Sequence, residues 1–280
     1  MDYPRIFWRF LDRSLWFQQR VRKFTNRRKD ELFLNMKVDF IICGVQKGGT
    51  SALVAYLREH PEICMAKRKE VHFFDTESNF TGNRPDYSAY HAAFNPDLSH
   101  KLIGEATPSY MYWQNAPKRI REYNPAMKLI VVLRNPIERA YSHWNMAKAK
   151  KFESLSFWDA IQNERERCRT VLPYQHKMYS YVDRGFYLEQ LQRLWAYFPK
   201  EQVLVLRNEC LRDDPTETLQ TVCSFLGISP FQRVEDKDIH SRPYDSRITD
   251  QEKEYLQSVY EHEIHQIEQT LNWDCSSWLS

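Results

Sequence analysis

The sequence predicts an α/β protein with a mostly parallel sheet covered by helices on both faces. Three observations point there. Short apolar runs alternate with helical segments along the chain. A glycine-rich turn joins the first of these runs to the first helix of the body. The 280 residues, 42% of them hydrophobic, can bury one sizeable core. With only 7 glycines and no internal repeat, linkers and low-complexity segments are not expected.

The elements follow in order. Residues 1–37 read as a basic amphipathic helical arm, and residues 38–280 as a single domain. In the arm, Phe7, Phe10, Leu11, Leu15 and Phe17 fall near helical spacing with arginines between them. Its first 29 residues carry nine Lys or Arg against Asp2 and Asp12, within a net charge of +3 for the chain. Such a stripe packs on the body or on a second copy, as in a homodimer, or else lies on an anionic surface. Asp39–Cys43 is a buried strand ending at the glycine turn. Thr50–His60 is a helix stopped by Pro61. Lys128–Leu133 is the strongest strand, followed by a helix over Pro136–Lys148. Gln202–Leu206 is a third strand. Asp214 and Pro215 open a helix that runs to Gly227. Thr249 and Glu252 form a capping box before a last helix striped with Leu256, Tyr260, Ile264, Ile267 and Leu271.

Several classes are set aside. No segment approaches the ~18 apolar residues of a membrane span. Arg5, Arg9 and Asp12 interrupt any apolar leader. The six cysteines form no C-x-x-C pair, so reduced thiols and a cytoplasmic protein are expected. The His262–His265 string lacks the spacing of a zinc helix and reads as surface. Neither a metal nor a nucleic-acid partner is expected.

In parallel sheets, ligands bind at the carboxyl ends of strands. Two such ends carry unusual chemistry. The stretch GVQKGGTS keeps the Gly44–Gly49 spacing of a Walker A loop, but Thr50 stands where the lysine belongs and the lysine is Lys47. Strand, glycine turn and helix N-terminus together present backbone N–H groups to an anion. Gly48 and Gly49 permit close approach, Thr50 and Ser51 add hydroxyls, and Lys47 adds a cation. A plain tight turn would use the same glycines. At the second strand end, LIVVL runs into Arg134, where a nucleotide triphosphatase carries a metal-binding Asp. Arginine suits phosphate rather than a divalent cation, though it also serves in structural ion pairs. Ser142 follows on the next helix.

A nucleotide phosphorylated at both its 5′ and 3′ ends fits both strand ends. With GVQKGGTSAL, LRNPIERAYSHW and KEVHFFD in this order, the chain resembles the sulfotransferases that use 3′-phosphoadenosine-5′-phosphosulfate (PAPS), from about residue 38 to the end. The third string is similar to the segment of heparan sulfate sulfotransferases that carries the catalytic glutamate. The resemblance implies a P-loop-type three-layer α/β/α sandwich. It also implies sulfuryl transfer from PAPS to a hydroxyl or amine, leaving adenosine 3′,5′-bisphosphate (PAP). Gln46, Lys47, Gly48, Gly49, Thr50 and Ser51 would hold the 5′ end. Arg134, Ser142 and a late-loop residue, Arg242, would hold the phosphates further along. Lys47 would neutralise the leaving phosphate, and Glu70 would take the acceptor proton. His72, Asp75, Thr107, Tyr110 and Tyr112 would line and orient the acceptor, with Trp113 as a further aromatic wall; Tyr187, in a string similar to a family segment near the cofactor, reads as a pocket residue or, as is commoner for an aromatic at helical spacing, as core. Alone, Glu70 and His72 would read as a solvated charge and a satisfied histidine.

The chain departs from the heparan pattern. Ala106 replaces the lysine of an E-K-T-P string, and HSRPYDSR around Arg242 has no glycine. A small-molecule acceptor, as in natural-product tailoring, is therefore expected over a saccharide. A metal-dependent P-loop kinase or NTPase, or a non-catalytic nucleotide binder, stands as the alternative of another class.

Overall fold

The computed structural model of the chain describes residues 36–82, 84–235 and 247–280. The chain divides into two units, Met1–Lys37 and Val38–Ser280, and the elements below belong to the second. The expected helical arm lies, but for its last two residues, outside the described residues.

Five described strands form one sheet: β1 (Phe40–Gly44), β2 (Ile63–Met65), β3 (Leu102–Ala106), β4 (Lys128–Leu133) and β5 (Val203–Arg207). The spatial order is β2-β3-β1-β4-β5, and every pairing is parallel. The described helices are α1 (Thr50–Leu57), α2 (Tyr87–His91), α3 (Ala116–Tyr123), α4 (Pro136–Ala149), α5 (Phe157–Gln162), α6 (Glu164–Arg169), α7 (Tyr187–Tyr197), α8 (Asn208–Asp213), α9 (Pro215–Leu226) and α10 (Asp250–Leu271). Parallel strands need crossover connections, and the helices supply them.

β1 and β4 are buried almost throughout, as expected of strands covered on both faces. Phe40, Ile42, Ile130 and Val132 pack with Leu53, Leu57, Leu219 and Val222 in one core. The caps read from sequence form. Asp214 accepts from Glu217 N–H, and Thr249 and Glu252 make the reciprocal capping box. Of the last helix's stripe, Leu256, Tyr260, Ile264 and Ile267 are buried and Leu271 is partly exposed. His262 and His265 lie on the surface.

The differences have local causes. The helix expected over Thr50–His60 ends at Leu57, where Arg58 turns to donate to the carbonyls of Ala66 and Lys67 and His60 meets Ser229 O at 2.9 Å. The strand expected from Gln202 starts one residue later, because the Gln202 side chain ties a 3-10 turn to Pro125 and Met127 carbonyls. Two strands escaped the reading. β2 is three residues long. β3 breaks its apolar run with Gly104, whose missing side chain makes room for the Phe40 ring, and with the buried Glu105.

The sheet brings four chain segments to one edge. Val45 N–H donates to Val132 O, backing the glycine turn on β4. Thr107 N–H donates to Ile42 O and Met111 N–H to Cys43 O, backing the segment after β3 on β1. Glu70 N–H donates to Ala106 O, fastening the segment after β2 to β3. Residues 45–49, 66–75 and 107–111 are thus fastened to the strand ends by backbone hydrogen bonding, and Arg134 follows the end of β4, two residues after Val132.

Candidate active site

The glycine turn has little freedom to be anything else. A Cβ at Gly48 would run into the Val132 carbonyl and the Val45 side chain, and one at Gly49 into the Asn208 side-chain amide. Gly49 also sits at φ 96, a left-handed conformation that L side chains rarely adopt. Lys47 adopts φ 68 without being glycine. The turn ends in α1, whose N-cap is Gly49 and which no side chain caps. Its first-turn N–H groups therefore face the loop as an anion-binding end. Gln46 Oε1 is buried with no hydrogen-bond partner among the described residues. Thr50 is buried and Ser51 partly exposed. Behind the turn, burial pushes the Cys43 thiol up to about 12, which leaves it protonated and inert.

At the end of β4, Arg134 forms an ion pair with Glu138 at 2.7 Å, and its carbonyl accepts from Tyr187 OH at 2.7 Å. The guanidinium is about one-quarter exposed, so a phosphate would compete with a surface carboxylate for it. Ser142 is buried one helical face further along α4. Tyr187 is buried and positions Arg134 from below. Arg242 lies outside the described residues.

The segment 69–75 carries the densest polar network. Glu70 and His72 sit at φ 64 and φ 56. Among the described residues, non-glycine positive φ occurs at five positions, and three of these are Lys47, Glu70 and His72. Strained backbone of this kind persists where surroundings over-determine it, and it gathers at functional sites. Phe73 and Phe74 supply the constraint. Their rings pack into a cluster with Phe80, Tyr87, Tyr90, Tyr110 and Tyr123. Tyr110 OH accepts from Phe73 N–H at 2.8 Å and Phe74 N–H at 3.4 Å. The adjacent polar residues are thereby held at the sheet edge.

The polar groups form a chain. Lys69 Nζ donates to Ser51 Oγ at 2.9 Å and to Glu70 Oε1 at 3.2 Å. His72 Nε2 lies 3.5 Å from Glu70 Oε2, and its Nδ1 lies 2.9 Å from Asp75 Oδ2. Ser109 Oγ donates to the same Asp75 oxygen at 2.5 Å, and Lys177 Nζ donates to the Asp75 carbonyl at 2.7 Å. Both nitrogens of His72 face carboxylates, so both carry protons. Hydrogen bonds to Asp75 and Glu70 raise its pKa from 6.5 to about 9. The hydrogen bond from His72, with Lys69 behind it, lowers Glu70 to about 2 although burial opposes this. Burial pushes Asp75 up, but His72 and Ser109 outweigh it and hold the carboxyl below its ordinary value. At neutral pH the site reads Lys69 positive, Glu70 negative, His72 positive, Asp75 negative.

The remaining expected residues stand behind this line. Thr107 is buried; its hydroxyl donates to Glu105 at 2.7 Å and accepts from His72 N–H at 3.5 Å. Burial raises Glu105 to about 7 against the hydrogen bonds from Thr107 and Tyr90. Tyr110 is fully buried, so it supports the 72–75 segment from inside. Tyr112 is nearly buried, donates to Asp183 at 2.6 Å, and carries Arg184 over its ring at 4.2 Å. Trp113 donates to Glu77 and stacks on the half-exposed Tyr174, beside a pocket of about 170 Å³ that also includes Gln114, Asn115, Pro173 and Gln175. The sequence reading missed Lys69, Ser109 and Lys177. Lys69 stands in a string already singled out, one residue before Glu70, and Ser109 lies two residues after Thr107. Lys177 carries no sequence signal, because a chain separation of 102 residues precedes its contact.

The Sulfotransferase domain family matches residues 37–267 of the chain. Heparan sulfate glucosamine 3-O-sulfotransferase 3B1 of Mus musculus is 34% identical over 193 residues, covering 67% of this chain and 45% of that protein. Heparan sulfate glucosamine 3-O-sulfotransferase 5 of Homo sapiens is 30% identical over 193 residues, covering 68% of this chain and 53% of that protein. The chain thus spans about half the length of these relatives. Among solved structures, a sulfotransferase from Alicyclobacillus acidocaldarius superposes with a TM-score of 0.76 at 27% identity, covering 88% of this chain and all of that one.

Proposed function

This chain belongs to the sulfotransferase domain family, and we propose that it transfers the sulfuryl group of PAPS to a hydroxyl group of a saccharide. The observation that carries this reading is the continuous line of hydrogen bonds and ion pairs from Ser51, on the first turn after the glycine loop, through Lys69 to Glu70, His72 and Asp75. It sets a carboxylate base beside an anion-binding helix end. The residues present suit the donor. The uncapped N-terminus of α1, Lys47, Thr50 and Ser51 would hold its 5′-phosphosulfate, and Arg134 with Ser142 its 3′-phosphate. PAPS supplies the sulfuryl group and departs as PAP.

The roles follow from charge. Glu70 is ionised at neutral pH and receives the acceptor's hydroxyl proton as the new S–O bond forms. A carboxylate stabilised by two cations is a weak base, so proton transfer comes late, when the attacking oxygen has become acidic. His72 already carries both protons and accepts none. It fixes the Glu70 carboxylate and is itself aimed by Asp75 and Ser109. Lys47 balances the charge that collects on the leaving phosphate. No step here requires a metal, in keeping with Arg134 at the strand end.

The saccharide acceptor rests on the relatives whose names specify heparan sulfate glucosamine, and it displaces the small-molecule expectation. Ala106 favours the second reading, a small or weakly charged acceptor, because the lysine of the heparan string is missing there. PAPS carrying labelled sulfur, incubated with the protein and either a desulfated polysaccharide or a small-metabolite extract, tests both. Label in the polymer supports the saccharide acceptor. Label confined to small molecules moves the protein to natural-product tailoring. Label in neither pool, with no PAP binding, defeats the sulfotransferase reading.

A further inference from the structure

The position of Lys69 goes beyond these roles. Its ammonium lies 2.9 Å from Ser51 Oγ and 3.2 Å from Glu70 Oε1, between the donor-binding helix end and the base. An ammonium has three N–H donors, and among the described residues Lys69 uses two. The side chain is only about one-quarter exposed, so its charge is partly desolvated and acts strongly at short range. Glu70 is bonded through its N–H to the carbonyl of Ala106, the position where the heparan pattern has lysine. While position 106 carries no cation, one stands a residue before Glu70, on the segment after β2 that is fastened to Ala106, and reaches the Glu70 carboxylate.

We propose that Lys69 is the second cation of the transfer and binds the non-bridging oxygens of the sulfuryl group, in place of the lysine missing at Ala106. The proposal rests on the sulfotransferase reading. In the step it serves, the S–O bond to the 5′-phosphate breaks and its electron pair stays on the phosphate oxygen beside Lys47. The S–O bond to the acceptor forms, and the acceptor's proton passes to Glu70. Lys69 holds the sulfuryl oxygens between the two, with its third N–H directed to them while Ser51 Oγ and Glu70 accept from the other two.

The test compares two nucleotides that differ by the sulfuryl group. Calorimetric affinities for PAPS and for PAP are measured on wild-type, Lys69→Met and Lys69→Arg proteins, beside turnover of labelled PAPS. A charge-assisted hydrogen bond predicts that Lys69→Met loses about tenfold or more of the PAPS-over-PAP preference while PAP affinity stays within about twofold. Lys69→Arg recovers most of that preference. An unchanged preference in Lys69→Met overturns the proposal. So does an equal loss of both nucleotides, which would make Lys69 a prop of the loop. Wild-type protein that binds neither nucleotide overturns the sulfotransferase reading and this inference together.

Discussion

The Glu70 carboxylate meets Lys69 at 3.2 Å and His72 at 3.5 Å, and its backbone is held at φ 64. Removing its charge while keeping its shape isolates its chemistry. Glu70→Gln should lower turnover by about 10²–10⁴-fold, the usual worth of a general base, with PAP affinity unchanged. Wild-type turnover in that variant would assign the proton elsewhere. His72 sets the pH window. Its pKa is raised from 6.5 to about 9, so its ion pairs are complete below about 6.5 and lost as pH rises through about 9. Glu70 is shifted the other way, so its contribution is complete above 4.5 and lost as pH falls toward about 2. The rate should therefore plateau through neutrality and show an alkaline limb near pH 9. In His72→Asn that limb should vanish along with much of the activity. A limb that survives the substitution would belong to another group.

At the scale of elements, the site is a product of how strand-end segments are fastened to one another. Tyr110 does this work for 72–75 with one hydroxyl that accepts from two backbone amides. Tyr110→Phe leaves those buried N–H groups without a partner at a cost of about 1–3 kcal/mol. The expected result is a lower denaturation midpoint, with turnover falling more than PAP affinity, because the base segment loosens and the glycine loop does not. Equal falls in both would mean that the two segments form one cooperative unit. Gly48→Ala should show the opposite pattern. Its Cβ meets the Val132 carbonyl, which is backbone and cannot rotate away. The loop must shift, and PAP binding should be lost before the fold is. Retention of full PAP affinity would remove the glycine loop from the binding site.

At the scale of the whole molecule, β1 stands between β3 and β4, and this order decides which segments meet. The two halves of the proposed nucleotide site, the loop after β1 and Arg134 after β4, lie on adjacent strands paired through Phe40↔Lys128 to Gly44↔Val131. A ligand bridging them should stabilise the entire second unit. PAP at about 100 times its dissociation constant should add about 2.7 kcal/mol to unfolding, read as a shift in thermal midpoint. AMP, which lacks the 3′-phosphate, should stabilise less at equal concentration. An equal shift with AMP would show that Arg134 and Ser142 do not hold a 3′-phosphate.

Local rules carried much of this into the sequence. The apolar run Lys128–Leu133, the cap at Asp214, the capping box at Thr249 and the glycine spacing at 44–49 each state their structure through neighbours a few residues away. The three strings around Lys47, Glu70 and Arg134 point to the proposed site because the chemistry of phosphate and proton transfer restricts residue types. What tertiary structure alone decided is what those residues touch. β3 hides in the sequence because Gly104 and Glu105 are chosen by the Phe40 ring and the Tyr90 and Thr107 hydroxyls. Tyr110 looks like a pocket wall in sequence, yet folding turns it inward to hold backbone. Lys69 reads as one charge in a charged run until Ser51, eighteen residues earlier, is brought within 2.9 Å of it. Hydrogen bonding across strand ends depends on sheet order, and sheet order is settled by burying the whole core at once.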